Sequence, residues 1–181
     1  MTNKSRLNLA IRSKQLVKFT RRFEPGSVNG YVLAVGPRFF LVALVEDATW
    51  FNGFQCFRLS DVRELRVPDK YAVFVQAALK KRGQRMPKKP RVVVTSLEKL
   101  LQSANRACPL VTIHREGIEP EVCHIGRVSS LSRGRVSLHE IGPDARWDKE
   151  PTEYELREIT RVDFGGVYEE GLHLVGGPCK V

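Results

Sequence analysis

Asp144-Ala145-Arg146-Trp147 repeats Asp47-Ala48-Thr49-Trp50 at an offset of 97 residues, and the match continues on both sides. At the same offset Tyr154-Glu155-Leu156-Arg157-Glu158-Ile159 lies over Phe57-Arg58-Leu59-Ser60-Asp61-Val62. Val162-Asp163-Phe164 lies over Leu65-Arg66-Val67, and Tyr168 over Tyr71. The chain of 181 residues therefore reads as one small unit used twice. Each unit is of roughly 75–90 residues, near the lower size at which a single core is stable alone.

Working outward from the first tryptophan, Phe39 to Val45 is nearly all apolar, the pattern of a strand buried on both faces. Phe54–Leu59 and Val62–Val67 follow as two short strands. Upstream, Leu16–Arg21 alternates and Ser27–Val35 forms a strand with Gly30 inside it. A glycine there marks a bend or a close backbone approach. A helix is expected from Asp69, with Tyr71, Phe74, Val75, Ala78 and Leu79 as its apolar stripe and Gly83 as its cap. The second unit repeats the plan. Thr95-x-x-Glu98 predicts a capping box. Leu110–Arg115, Val122–Leu131, Arg135–Ile141, Thr152–Leu156 and Ile159–Phe164 read as strands, with Gly126 in the role of Gly30.

Five short, bent strands per unit predict closure into a small barrel, because closure removes exposed edges. A helix followed by five strands, with a glycine-bent second strand and a fifth running directly out of the fourth, resembles the Sm-like (LSm) fold. The last feature is carried by Glu155 to Phe164. The resemblance covers about residues 7–70 and 97–166. It implies a mostly β protein of two tandem five-stranded Sm-like small β-barrels, each with a short N-terminal helix and a short trailing helix. The domains are then 1–79, a basic linker 80–94, and 95–181. The family's RNA-binding Asp and Asn are missing from the loops Val35–Phe39 and Ser130–Gly134. Its uridine pocket is therefore not transferred to any residue.

Charge divides the repeat. Residues 1–100 hold 20 Lys/Arg against 7 Asp/Glu, and residues 101–181 hold 10 against 13. The first part is thus at +13 and the second at −3. A polyanion is expected to meet the first unit. Lys80, Lys81, Arg82, Arg85, Lys88, Lys89 and Arg91 put seven cations into twelve residues with no acid among them. Lys18, Arg21 and Arg22 supply a second basic group. These ten are the candidate nucleic-acid contacts. A solvated, extended connector is the competing reading of the linker, which carries no aromatic residue for base stacking.

Trp50 and Trp147 are candidate ligand or partner contacts; the competing reading folds each ring back onto its own unit. Phe39–Val45, Phe54 and Phe57 are candidates for contact between units or chains. Cys56, Cys108, Cys123 and Cys179 form no CxxC pair, so a zinc ribbon is not expected. His114, His124, His139 and His173 show no spacing that supports a catalytic set. An enzyme reading would need a bound metal or a pocket joining His124 and Cys123 to a carboxylate. No cofactor, metal or membrane span is expected, and the setting expected is the cytoplasm. The function that follows is a non-enzymatic module for RNA or another polyanion. The alternative is a protein–protein scaffold or a homo-oligomerisation module.

Overall fold

The computed structural model describes residues 1–47 and 49–179. Ala48, the second residue of the first tryptophan motif, lies outside the described residues, as do Lys180 and Val181. The chain forms two compact units, Met1–Lys89 and Pro90–Val181.

In the first unit α1 (Asn3–Ser13) is capped by the Thr2 hydroxyl, which accepts from Ser5 N at 3.2 Å. Five strands follow: β1 (Leu16–Arg21), β2 (Ser27–Val35), β3 (Phe39–Glu46), β4 (Trp50–Arg58) and β5 (Val62–Arg66). Then comes α2 (Ala72–Lys81). The strands are antiparallel in the order β5-β1-β2-β3-β4. Register shifts interrupt the ladders at Thr20/Arg21, Val32/Ala34 and Ala43/Val45, which bends the sheet. Gly30 sits where a Cβ would run into the Val42 side chain and the Ala43 carbonyl. The close approach expected at this glycine is therefore present.

One face carries the main core. Phe19, Phe40 and Phe57 are fully buried, with ring centroids 5.1 to 5.7 Å apart, and Leu7 and Ala10 of α1 cover them. Phe40, Val42 and Phe57 thus serve the first unit's own interior and not an outside partner. Leu16, Tyr31 and Val45 pack instead with Val75 and Leu79 of α2. The helix stripe is narrower than its pattern: Val75 and Leu79 are buried, while Tyr71 and Phe74 are exposed. Gly83, at φ +68°, ends the helix, with Gln84 N bonded to Leu79 O at 2.9 Å and Gly83 N to Lys80 O at 3.0 Å.

The second unit has α3 (Leu97–Ala107), β6 (Val111–His114), β7 (Cys123–Ser132), β8 (Arg135–Glu140), β9 (Thr152–Glu155), β10 (Arg161–Phe164) and α4 (Val167–Gly176). Its strand order is β10-β6-β7-β8-β9. Leu97, Leu100, Leu101 and Ala104 form the buried face of α3. The helix cap is Ser96, whose hydroxyl accepts from Lys99 N at 3.2 Å, and not Thr95. Gly126 repeats the role of Gly30: a Cβ would strike the His139 carbonyl.

The mostly β character is present, but the two closed small β-barrels are not. The ten strands are laid out in open antiparallel order. Closure of either unit would need a ladder between its fourth and fifth strands. A 3₁₀ turn intervenes in each unit, Leu59–Asp61 and Leu156–Glu158. It sends the fifth strand to the far side, where β5 pairs with β1 and β10 with β6. Edge removal therefore gave the wrong topology. Bulges and glycines bend these sheets without closing them.

Candidate nucleic-acid interface

The linker cations begin as helix residues. Lys80 and Lys81 occupy the last turn of α2, where cations suit the carbonyl end of the dipole, and Arg82 is its C-cap. Arg85, Lys88 and Lys89 follow outside any helix or strand, and all six are exposed. Arg91, also exposed, falls in the second unit.

The fold supplies the aromatic surface that the linker's own composition lacks. Trp50 starts β4 and is 44% exposed, with the Arg82 guanidinium 4.4 Å above its ring. Next to it, Phe51 N donates to Gln84 Oε1 at 3.1 Å, tying β4 to the start of the linker. Tyr31 and Phe51 have ring centroids 6.0 Å apart. With Gln76, Lys80 and Arg85 they line a cleft of about 380 Å³. Burial pushes the Tyr31 phenol up, against a smaller opposing effect of its hydrogen bond with Gln76. The phenol therefore stays neutral and does not repel an anion. Tyr31 and Phe51 were missed in the sequence because they lie 49 and 29 residues before the start of the linker. Only the β2–β3–β4 ladder and the α2 turn bring them to it.

The second basic group does not form one cluster. Lys18 lies directly opposite Arg66 in the β1–β5 ladder. Both line a separate cleft of about 370 Å³ with Thr20, Gly26 and Glu64. The like charges are offset in part by Glu64, whose carboxylate lies 3.7 Å from the Arg66 guanidinium. Arg22 is exposed and covers the Phe23 ring at 4.7 Å. Arg21 is only 2% exposed: its guanidinium lies 3.2 Å from Glu24 and 4.6 Å from the Phe57 ring centroid. It is part of the interior, where a guanidinium on an aromatic face is well placed.

Trp147 sits differently from Trp50. It is half-buried against Leu110, Ile125 and Leu172, and its Nε1 donates to Gly177 O at 3.3 Å.

The histidines of the second unit join polar networks. His124 Nε2 lies 2.8 Å from Glu119 Oε1, and its Nδ1 lies 3.0 Å from Glu140 Oε2 and 2.8 Å from the Tyr154 hydroxyl. Tyr154 donates to the other Glu140 oxygen at 2.6 Å, and the Arg115 guanidinium lies over its ring at 5.2 Å. The hydrogen bond with Glu140 raises the His124 pKa, burial opposes, and Glu119 adds to the rise. Burial works to raise Glu140, but the hydrogen bonds from His124 and Tyr154 outweigh it and hold the carboxyl below its ordinary value. Burial, then Glu140, pushes the Tyr154 phenol well up.

His114 Nε2 is 3.0 Å from Asp163 Oδ2, with Arg161 bridging the same carboxylate at 3.1 Å. Cys123 stands opposite His114 in the β6–β7 ladder. Its thiol is pushed up by burial and by Asp163, with Arg161 opposing, so it holds its proton and is a weak nucleophile. Among the described residues no group of three or more His, Cys, Asp or Glu side chains has the arrangement of a metal site. No described helix is long and apolar enough to cross a membrane.

Comparison of the chain with protein-family models, with curated proteins and with solved structures gives no match.

Proposed function

We propose that the chain is a non-enzymatic, cytoplasmic module that binds single-stranded RNA through the first unit and the linker that leaves it. The observation that carries this reading is the exposed Trp50 ring under the Arg82 guanidinium, at the start of a run of exposed cations. A strand of nucleic acid needs both parts: cations for its phosphates and aromatic faces for its bases. Phosphate contacts supply most of the affinity and make it fall with salt. Stacking on Trp50 tolerates any base, so sequence preference is weak.

The test is fluorescence anisotropy with short labelled RNA and DNA at low and at physiological salt. Binding is expected to weaken steeply as salt rises. Changing the seven linker cations to glutamine is expected to abolish it. Trp50→Ala is expected to weaken binding roughly tenfold while leaving the salt slope unchanged, since stacking releases no counterions. Absence of binding at low salt overturns the proposal.

A second reading, a protein–protein scaffold or homo-oligomerisation module, is favoured by α4. Val167, Leu174 and Val175 recur at helical spacing and are 66%, 85% and 77% exposed. A molar mass in solution above that of one chain, reduced to one chain by Leu174→Glu, would favour it over the RNA reading.

A further inference from the structure

The second unit holds a cleft of about 560 Å³ between the end of α3, Arg127 of β7, Trp147 and the end of α4. That volume suits a small organic ligand. At the 97-residue offset Trp147 corresponds to Trp50 and His173 to Gln76. The cleft thus takes, in the second unit, the place of the Tyr31–Phe51–Gln76 cleft in the first: between the trailing helix, the residues after it and the tryptophan segment.

Its walls are fixed in advance. The end of α4 presses against the loop before Trp147: a Cβ on Gly176 would lie 2.5 Å from Ala145 O and 2.6 Å from Ile141 Cδ1. The indole is held by its bond to Gly177 O and by the His139 ring, edge-on at 5.9 Å. Asn105 is a wall residue with its amide already committed, since Nδ2 donates to Val128 O and Oδ1 accepts from Val128 N, each at 3.0 Å.

Charge in the cleft runs against the rest of the unit. Residues 101–181 carry an excess of acids, yet the lining contains Arg106, Arg127 and His173 and no carboxylate. Arg106 and Arg127 are exposed; Arg127 uses one NH group on Pro109 O at 3.2 Å. His173 Nδ1 is buried with no hydrogen-bond partner among the described residues. The thiols of Cys108 and Cys179 are pushed up, first by burial, and remain neutral.

We propose that this cleft binds a nucleoside monophosphate, its base against Trp147 and its phosphate between Arg106 and Arg127. An aromatic wall selects a planar group, and guanidinium forks match phosphate oxygens. The net negative charge of residues 101–181 disfavours a long polyanion but not a single phosphate held at a local pair of arginines.

The chain has two tryptophans, so Trp50→Ala leaves Trp147 as the sole indole reporter and also removes the stacking residue of the first unit. In that variant the Trp147 emission is followed on adding AMP or UMP, with adenosine and inorganic phosphate as controls. Saturable quenching by the nucleotides is expected, with adenosine and phosphate each weaker by roughly tenfold or more. Arg106→Gln or Arg127→Gln is expected to weaken the nucleotide by about tenfold and adenosine hardly at all. Loss of the nucleotide preference over phosphate, or nucleotide affinity unchanged by both arginine substitutions, overturns the proposal, as does absence of any response at millimolar nucleotide. A parallel titration with the seven linker cations neutralised separates the two sites. Failure of oligonucleotide binding there leaves the Trp147 response intact.

Discussion

At the scale of the residue, the polar groups of the second unit carry a dependence on pH. His124 is set between Glu119 and Glu140, with the Tyr154 hydroxyl at the same nitrogen that faces Glu140. Only the protonated ring donates from both nitrogens. Its pKa is raised in the folded state. The stability it contributes is therefore full below its unfolded value of about 6.5 and is lost as pH rises through the higher folded value. Glu140 works in the opposite sense. Its pKa is lowered, so its contribution is present above its unfolded value and is lost as pH falls through the folded value. Urea unfolding followed against pH is expected to show stability falling on the alkaline side of this window in the native chain. That fall should be flattened in His124→Asn. An unchanged pH profile in the variant would show that the ring is not the titrating group. Little of this was legible in the sequence, because Glu140 and Tyr154 lie on β8 and β9 and meet His124 only through the β7–β8–β9 order, while Glu119 reaches it from the loop before β7. The burial of Arg21 was hidden for a similar reason. Its Phe57 partner lies 36 positions away, and a basic residue at a strand end reads as surface.

At the scale of the element, the strands were largely legible because alternation and glycine placement are local signals. Gly30 and Gly126 are the clearest cases: each marks a point where the neighbouring strand comes too near for a Cβ. The helix caps were less well marked. Thr95 and Glu98 have the spacing of a capping box, yet Ser96 caps the backbone one position later. Adjacent hydroxyls at a helix start compete, and the tertiary register of the apolar face chooses between them. Leu97, Leu100, Leu101 and Ala104 form the buried face of the helix that begins at Leu97. Ser96→Ala is expected to cost about 1 kcal/mol of stability, and Thr95→Ala a few tenths at most. Thermal melts of the two variants measure the difference. Equal losses would remove Ser96 from its assigned role. The apolar stripe of α2 also promised more than it delivers, since burial is confined to the side that meets Leu16 and Tyr31.

At the scale of the whole molecule, the chain divides into two compact units with the same order of elements, and the repeat misled on closure. The strand pattern records which residues are buried but not which strand edges are joined. That choice is made by the 3₁₀ turns Leu59–Asp61 and Leu156–Glu158, whose residues carry no marked signal of their own. Charge distinguishes two units of similar pattern, and the structure sets Trp50 beside a cation of the basic one, Arg82. The aromatic half of that surface was invisible from the linker alone.

The irregular stretch after Gln84 also makes the backbone open to a protease. Trypsin needs an extended, exposed bond after lysine or arginine, and such segments are the usual points of nicking. Arg85–Met86 and Lys88–Lys89 are exposed and lie outside helix and strand, whereas Pro90 blocks cleavage after Lys89 and Val92 is buried. Brief digestion is expected to nick the native chain first within this stretch, and mass spectrometry of the fragments identifies the bonds. The side chains proposed to contact a nucleic acid are also those the protease reads. A bound oligonucleotide would therefore act as a shield, and the lifetime of the intact chain under digestion would report its occupancy.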